Sequence, residues 1–385
     1  MSQNLLITNC RLFNDVAKKQ SISILIENGV ITHIGQVNSD SIRCKAVNAH
    51  ERILAPGFID VHVQGAGGAD VLDATPDALK MISATCASFG TTSFLATTVF
   101  KPDQLNHHLS LAAECTESDL GGARLLGIHL EGPFISPQKR GMIQPDCLCA
   151  PSPELMDKIQ ALTKDRLRIM TIAPELPGGL QLIGWLVNSK VIASFGHSNA
   201  TYEQTIAGFN AGITHVTHLF NAMPSLHHRS PGPLTAIFQA EHVSAQLIPD
   251  GVHIHPAVLK LAFNNLGQNR IISITDGLQA MGLPDGNYIY NGIEYESKNG
   301  TAKYKDGTLI GTSFGLSQLV AKLMVITGCS LDTAVKTVTE NPARLLGIAD
   351  KKGSIGIGKD ADLVLLDNDC SVHTTIVAGK IVFEK

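Results

Sequence analysis

The chain has 385 residues, 44% of them hydrophobic and 17% charged, with 35 Gly and 17 Pro; this suits two or three domains, or one α/β barrel with an appendage, and excludes disorder or a small stapled scaffold. Lys plus Arg total 30 against 34 Asp plus Glu, a net charge of −4, and there is no basic stretch to neutralise phosphates along a nucleic acid. The eight cysteines show neither CxxC pairing nor the density of a secreted disulfide framework, and no signal-peptide pattern or run of about 18 apolar residues occurs, so the composition predicts a reduced, cytoplasmic protein that binds neither nucleic acid nor membrane.

In chain order, the strings LLITNCRLF, SISILIE and GVITHIG alternate or carry β-branched residues without intervening helices, as do ADLVLLD and TTIVAGKIVFE at the far end. They predict that residues 1–52 and 350–385 are two halves of one small β-sandwich domain. Between them, residues 53–349 alternate short apolar runs with helical patterns. Eight candidate strands can be counted: ILAPGFIDVH, TTSFLATT, ARLLGIHLEG, RIMTIAPE, VIASFGHS, ITHVTHLF, SAQLIPDG and RIISITDG. Several are apolar on both faces, as buried parallel strands are. The segments between carry helix punctuation, for example Thr75-Pro76 at a start, Leu79, Ile82, Cys86 and Phe89 on one stripe, and Gly90 at the stop. The pattern predicts a (β/α)8 TIM-type barrel, with an open doubly wound sheet as the alternative. Asp-Gly and Asn-Gly turns in 284–308 predict a hairpin excursion near the last barrel strands.

On this strand count His62, Glu131, His197, His218, His253 and Asp276 each fall at or just beyond the carboxyl end of a different strand. In a barrel those ends converge on one catalytic face. Glu131, His197 and His218 offer a carboxylate oxygen and two imidazole nitrogens, a donor set that suits a divalent transition ion such as zinc and leaves a position for water. Asp276, delivered by SITDG, is placed to take a proton from such a water and return it to a leaving group. Ser198, Asn199 or Thr201 reads as the cap of the next helix, which accounts for their polar character. The turn LFNAMPS after His218 suits an anion nest, and Arg229 in HHRSPG is a candidate partner for the same anion.

At these residues a resemblance becomes specific. APGFIDVHVQGAGGAD, LEGPFISP, FGHSNA, THLFNAM, DGVHIHP, ITDG, GTLIGTS, ENPARLLG and GKDADLVLLD resemble the N-acetylglucosamine-6-phosphate deacetylases of the amidohydrolase superfamily, in order and over nearly the whole chain. The resemblance implies a (β/α)8 barrel with a β-sandwich from both termini, a homodimer, and hydrolysis of the N-acetyl group of an amino-sugar phosphate, N-acetylglucosamine 6-phosphate, to glucosamine 6-phosphate and acetate. It implies one zinc per subunit, or iron or another divalent ion, on Glu131, His197 and His218, with Asp276 as general base and acid. Asn221 and Ala222 would present backbone amides to the sugar phosphate, Arg229 and His253 would contribute, in part from the neighbouring subunit, and Leu309, Ile310 and Gly311 would line the sugar pocket.

Two departures stand out. The first strand ends His62-Val63-Gln64, between the His-x-His of many superfamily members and the Gln-x-Asn of one-metal deacetylases, which leaves a second ion near His62 and Gln64 open. The loop after LEGPF reads Gly141-Met142-Ile143-Gln144-Pro145, with Ile143 where an ungapped reading expects a polar residue. Met142 and Gln144 are therefore expected at the substrate, with Gln144 as the replacement donor. An N-acetylgalactosamine-6-phosphate deacetylase is the runner-up, and a non-catalytic sugar-phosphate sensor the third reading.

Overall fold

The computed structural model describes residues 4–16, 21–36 and 44–385; residues 1–3, 17–20 and 37–43 of the predicted amino-terminal half-domain lie outside the described residues. Eight parallel strands, Phe58–Val63, Thr91–Thr98, Arg124–Glu131, Leu167–Ile172, Ile192–Phe195, His215–Val216, Ser244–Leu247 and Ile271–Ser273, pair in sequence order, each with the next. Six lie wholly within the candidate runs, and Phe58–Val63 and Leu167–Ile172 each extend one residue beyond theirs. Helices cross between most of them; the first, Pro76–Ser88, is capped by Thr75, whose side chain accepts from Ala78 N, and buries Leu79, Ile82 and Cys86.

The barrel closes without a full ladder between its first and last strands. Near the carboxyl ends a single parallel bridge joins Val63 to Gly277. At the other end the turn at Thr337–Val338 stands between the two strands: Ile59 N–H donates to Val338 O at 2.7 Å and Ser273 N–H to Thr337 O at 3.0 Å. Ile59, Val61, Leu95, Ile169, Ile248, Ile272 and Ile274 form one buried cluster contributed by the strands.

The termini build one continuous strand path, Lys380–Glu384, Val372–Val377, Leu363–Leu366, Ile53–Pro56, Leu5–Leu12, Ile22–Glu27, Val30–Gly35, with Lys45–Asn48 also on Leu5–Leu12. The path folds over, so Leu5, Ile7, Ile24 and Ile31 share a core with Leu363, Leu365 and Ile376. Their alternates Val364 and Leu366 belong to the main core shared with the barrel helices, which is why LVLL is apolar on both faces. The run ILAPGFIDVH is not one strand, as its unbroken apolar character suggests: Ile53–Pro56 pairs with Leu363–Leu366 in the terminal sheet, and the barrel strand begins at Phe58.

The predicted excursion is a four-stranded antiparallel sheet of Gly286–Tyr290, Ile293–Lys298, Thr301–Tyr304 and Leu309–Thr312. Its first turn places Asn291 at φ 47° and Gly292 at φ 82°, the left-handed pair that a tight hairpin of matching twist requires. Its last strand bridges back to the barrel at Gly277–Thr312. Among the described residues no helix is long and apolar enough to cross a membrane.

Gly57, between the two sheets, has no room for a side chain: a Cβ there would lie 2.2 Å from Thr92 Cγ2 and Oγ1. Gly57→Ala should lower stability by about 1–3 kcal/mol through overpacking, read as a lower urea midpoint at unchanged slope. Thr92→Ala in the same chain should restore part of the loss.

Candidate metal centre and active site

The barrel strands deliver their terminal side chains to one rim. Glu131 ends its strand, while His197, His218 and Asp276 stand two or three residues beyond theirs on left-handed backbone, at φ 47°, 26° and 47°. Such conformations cost non-glycine residues about 1–3 kcal/mol and persist only where surrounding contacts impose them. Here they turn three side chains back over the barrel mouth.

Glu131 Oε1 lies 2.9 Å from His197 Nε2 and 2.9 Å from His218 Nε2, and the two nitrogens are 3.0 Å apart. His197 Nδ1 lies 2.8 Å from Lys139 O, so this nitrogen carries the proton and Nε2 presents a lone pair. Burial holds His218 below the ordinary imidazole value. Burial pushes the Glu131 carboxyl up, but His62 and His197 outweigh it and hold it well below the usual range. An ionised carboxylate and two imidazole nitrogens thus converge within 4.8 Å, which fits a divalent transition ion in donor type and number.

His62 sits beside this group in another way. Its Nδ1 faces Gln246 Oε1 at 3.0 Å, and its Nε2 faces Asp276 Oδ1 at 3.2 Å and Glu131 Oε2 at 3.6 Å. Burial alone would lower its pKa, yet the two carboxylates raise it to about 9. Gln64 Nε2 also donates to Asp276 Oδ1, at 3.2 Å, so His62 and Gln64 together hold one oxygen of Asp276. Below them, Asp60 accepts from Thr275 Oγ1 at 2.6 Å and from His62 N–H at 3.2 Å. Burial pushes its pKa up to about 7.

A cavity of about 220 Å³ opens over these groups, lined by Glu131, His197, His218, Asp276, Gln64, Gly141, Met142, Asn221, Ala222, His253, Thr308, Leu309 and Ile310. His253 is fixed by Asp250, whose Oδ2 lies 2.7 Å from His253 Nδ1 and whose Oδ1 accepts the Val252 and His253 amides at 2.8 Å. That pairing leaves His253 Nε2 as the free ring atom. Of the two amides expected to bind an anion, Asn221 N–H is already given to His218 O at 3.0 Å; Ala222 N–H makes no hydrogen bond among the described residues.

Three predicted residues do not line the cavity. Gln144 opens the turn Pro145–Cys147 and lines an adjoining cavity of about 450 Å³ with Arg140, Tyr304 and Lys305, while Ile143 is buried against the excursion sheet and Met142 takes the place at the cavity wall. Arg229 is exposed, with Nη1 2.7 Å from His228 Nε2. Gly311 acts through its backbone: at φ 147°, its Cβ position lies 2.4 Å from Asp276 O, so a side chain would displace the loop that carries Asp276.

Sequence reasoning also missed residues that fix the site from afar. Ser198 and Asn199 are not helix caps; Thr201 is, in a capping box with Gln204. Ser198 Oγ and Asn199 N–H instead donate to the Glu175 carboxylate, each at 2.6 Å. Asp60, Gln246 and Asp250 likewise act through partners distant in sequence or hidden in a turn.

Comparison with known proteins shows the family to which this fold belongs. Residues 53–382 match the model of the amidohydrolase family. An N-acetylglucosamine-6-phosphate deacetylase of Bacillus subtilis (strain 168) is 37% identical, with 100% of this chain and 98% of the relative covered. An N-acetylgalactosamine-6-phosphate deacetylase of Escherichia coli O157:H7 is 34% identical over 96% of this chain and 97% of its own. Among solved structures, a variant of the Mycobacterium smegmatis N-acetyl-D-glucosamine-6-phosphate deacetylase in complex with N-acetyl-D-glucosamine-6-phosphate superposes with a TM-score of 0.89 at 30% identity, over 99% of both chains. The chain is a member of the amidohydrolase family and, within it, belongs with the N-acetylglucosamine-6-phosphate deacetylases.

Proposed function

We propose that the chain hydrolyses the acetamido group of N-acetylglucosamine 6-phosphate, giving acetate and glucosamine 6-phosphate for amino-sugar catabolism. The observation that carries this reading is Asp276 facing the same cavity as the Glu131, His197 and His218 donors. A divalent ion on those donors, zinc in the first instance, supplies Lewis acidity toward the acetyl oxygen and acidifies the attacking water.

The chain's own groups do the rest. Asp276, held at Oδ1 by Gln64 and His62, takes the water proton as the carbon–oxygen bond forms. The carbon–nitrogen bond breaks only when the sugar nitrogen is protonated, because an amide anion is a very poor leaving group; Asp276 returns the proton there. His253 Nε2 and the Ala222 amide bind the phosphate, with Asn221 beside them, and Leu309, Ile310 and Met142 wall the ring and acyl group. That remote binding positions the reacting carbonyl. Arg229 serves the phosphate from the neighbouring subunit of a homodimer, a reading supported by its exposure and that of Leu226 on the same loop, 55%. A single ion is favoured, since both ring nitrogens of His62 face oxygen acceptors of the chain itself. Eight free cysteines fit a reducing cytoplasm.

Deacetylation of the galacto epimer is the second reading, supported by the 34% identical relative of that name. Acetate release from the two N-acetylhexosamine 6-phosphates in parallel decides between them. Activity should vanish on chelation and return with zinc; metal-loaded protein that releases acetate from neither sugar overturns the proposal.

Asp276→Asn should retain substrate binding and lose about 10²–10⁴-fold in kcat, the usual worth of a positioned acid–base group. Near-normal turnover would remove Asp276 from that role. Arg229→Ala should raise KM for the phosphorylated sugar and leave the unphosphorylated sugar unaffected; steady-state kinetics on both separates a phosphate contact from a general loss of fold.

A further inference from the structure

The turn that carries His197 is tied down on every side. His197 is a non-glycine residue at φ 47°, a conformation it would leave if unrestrained. Its carbonyl accepts Ser136 N–H at 2.8 Å, and its Nδ1 donates to Lys139 O at 2.8 Å. The two residues that follow are both held by one side chain from a different strand end: Glu175 Oε2 accepts Ser198 Oγ–H and Glu175 Oε1 accepts Asn199 N–H, each at 2.6 Å. Ser198 Oγ in turn accepts Ala200 N–H at 3.1 Å.

We infer that Glu175 is a positioning residue for the metal ligand His197, its carboxylate holding the left-handed turn so that Nε2 points at Glu131 and His218. Glu175 does not line the cavity, and its two carboxylate oxygens are engaged by Ser198 and Asn199. Its carboxylate has two acceptor oxygens at the spacing of one hydroxyl and one amide, and charge-assisted bonds of this kind are short and about twice as strong as neutral ones. Without them the backbone at His197 relaxes toward an extended or right-handed conformation, and the imidazole swings away from its partners. Groups that orient a metal-bound histidine affect affinity by about 10–100-fold in general.

The inference rests on the reading of Glu131, His197 and His218 as metal ligands, and the test separates the two. Zinc and cobalt(II) binding to metal-free protein is measured by competition with a chromophoric chelator, alongside the visible spectrum of the cobalt form. If the wild-type chain binds neither ion at a Glu131-dependent site, the ligand reading itself fails. If it binds, Glu175→Ala should weaken zinc binding about 10–100-fold, alter the cobalt spectrum, and lower kcat at saturating zinc with KM for the sugar phosphate unchanged. Glu175→Gln, which retains one carbonyl acceptor, should recover part of each. Ser198→Ala removes one of the two bonds and should fall between wild type and Glu175→Ala; it also serves if Glu175→Ala does not fold. Wild-type affinity and cobalt spectrum in these variants, with only a lower melting temperature, would make the clamp purely structural and overturn the inference.

Discussion

One carboxylate oxygen and two imidazole nitrogens held against one another dominate this molecule. Glu131 Oε1, His197 Nε2 and His218 Nε2 stand about 3 Å apart, and the His197 proton is committed elsewhere, to Lys139 O. A buried carboxylate packed against two imidazoles is stabilised by positive charge, and the surroundings are arranged accordingly. His62 offers an imidazolium next to Glu131 and Asp276, and the donor set is of the kind that holds a divalent ion. The left-handed turns at His197, His218 and Asp276 are the backbone cost of that convergence.

The barrel provides the stiffness to sustain it. Each of these side chains stands on a different strand end, so no single loop can shift them together. Side-chain and backbone ties then run between neighbouring loops: Glu175 to the His197 turn, Gln246 to both His62 and the His218 amide, and Lys139 Nζ to Met223 O at 3.3 Å. The excursion sheet closes the cavity from the side, bringing Leu309 and Ile310 to the wall through its last strand.

The parts legible in the sequence are those written in local pattern. Strands rich in apolar residues announce themselves because both their faces are buried, one against the helices and one in the barrel interior, and the six ionisable residues at their ends are visible once the strands are counted. What escapes is whatever depends on a distant partner. Ser198 and Asn199 look like caps, since Ser and Asn before a helix commonly are, and only the fold reveals a carboxylate 23 positions away in sequence. Pro56-Gly57 is the local turn signal that marks the passage from one sheet to the other, and the apolar residues on both sides hide it in what reads as one run. Gln144 has suitable chemistry for the substrate, but the direction of its loop is decided by Ile143 packing under the excursion sheet.

The pairing of Ile53–Pro56 with Leu363–Leu366 has a consequence for how the molecule comes into being. During synthesis Leu5–Leu12 and Ile53–Pro56 emerge long before Leu363–Leu366, the neighbour that completes their sheet. Leu54 pairs with Leu365, and until that end of the chain leaves the ribosome one edge beside Ile53–Pro56 stays open and the small core of Leu5, Ile24 and Leu363 lacks its second half. Contacts so far apart in sequence are costly to close and form late. A chain cut short before residue 363 therefore presents an unpaired strand edge and bare apolar side chains, the features by which unfinished proteins are recognised and removed. Leu363–Leu366 thus completes the small core only after every residue of the barrel strands has been made.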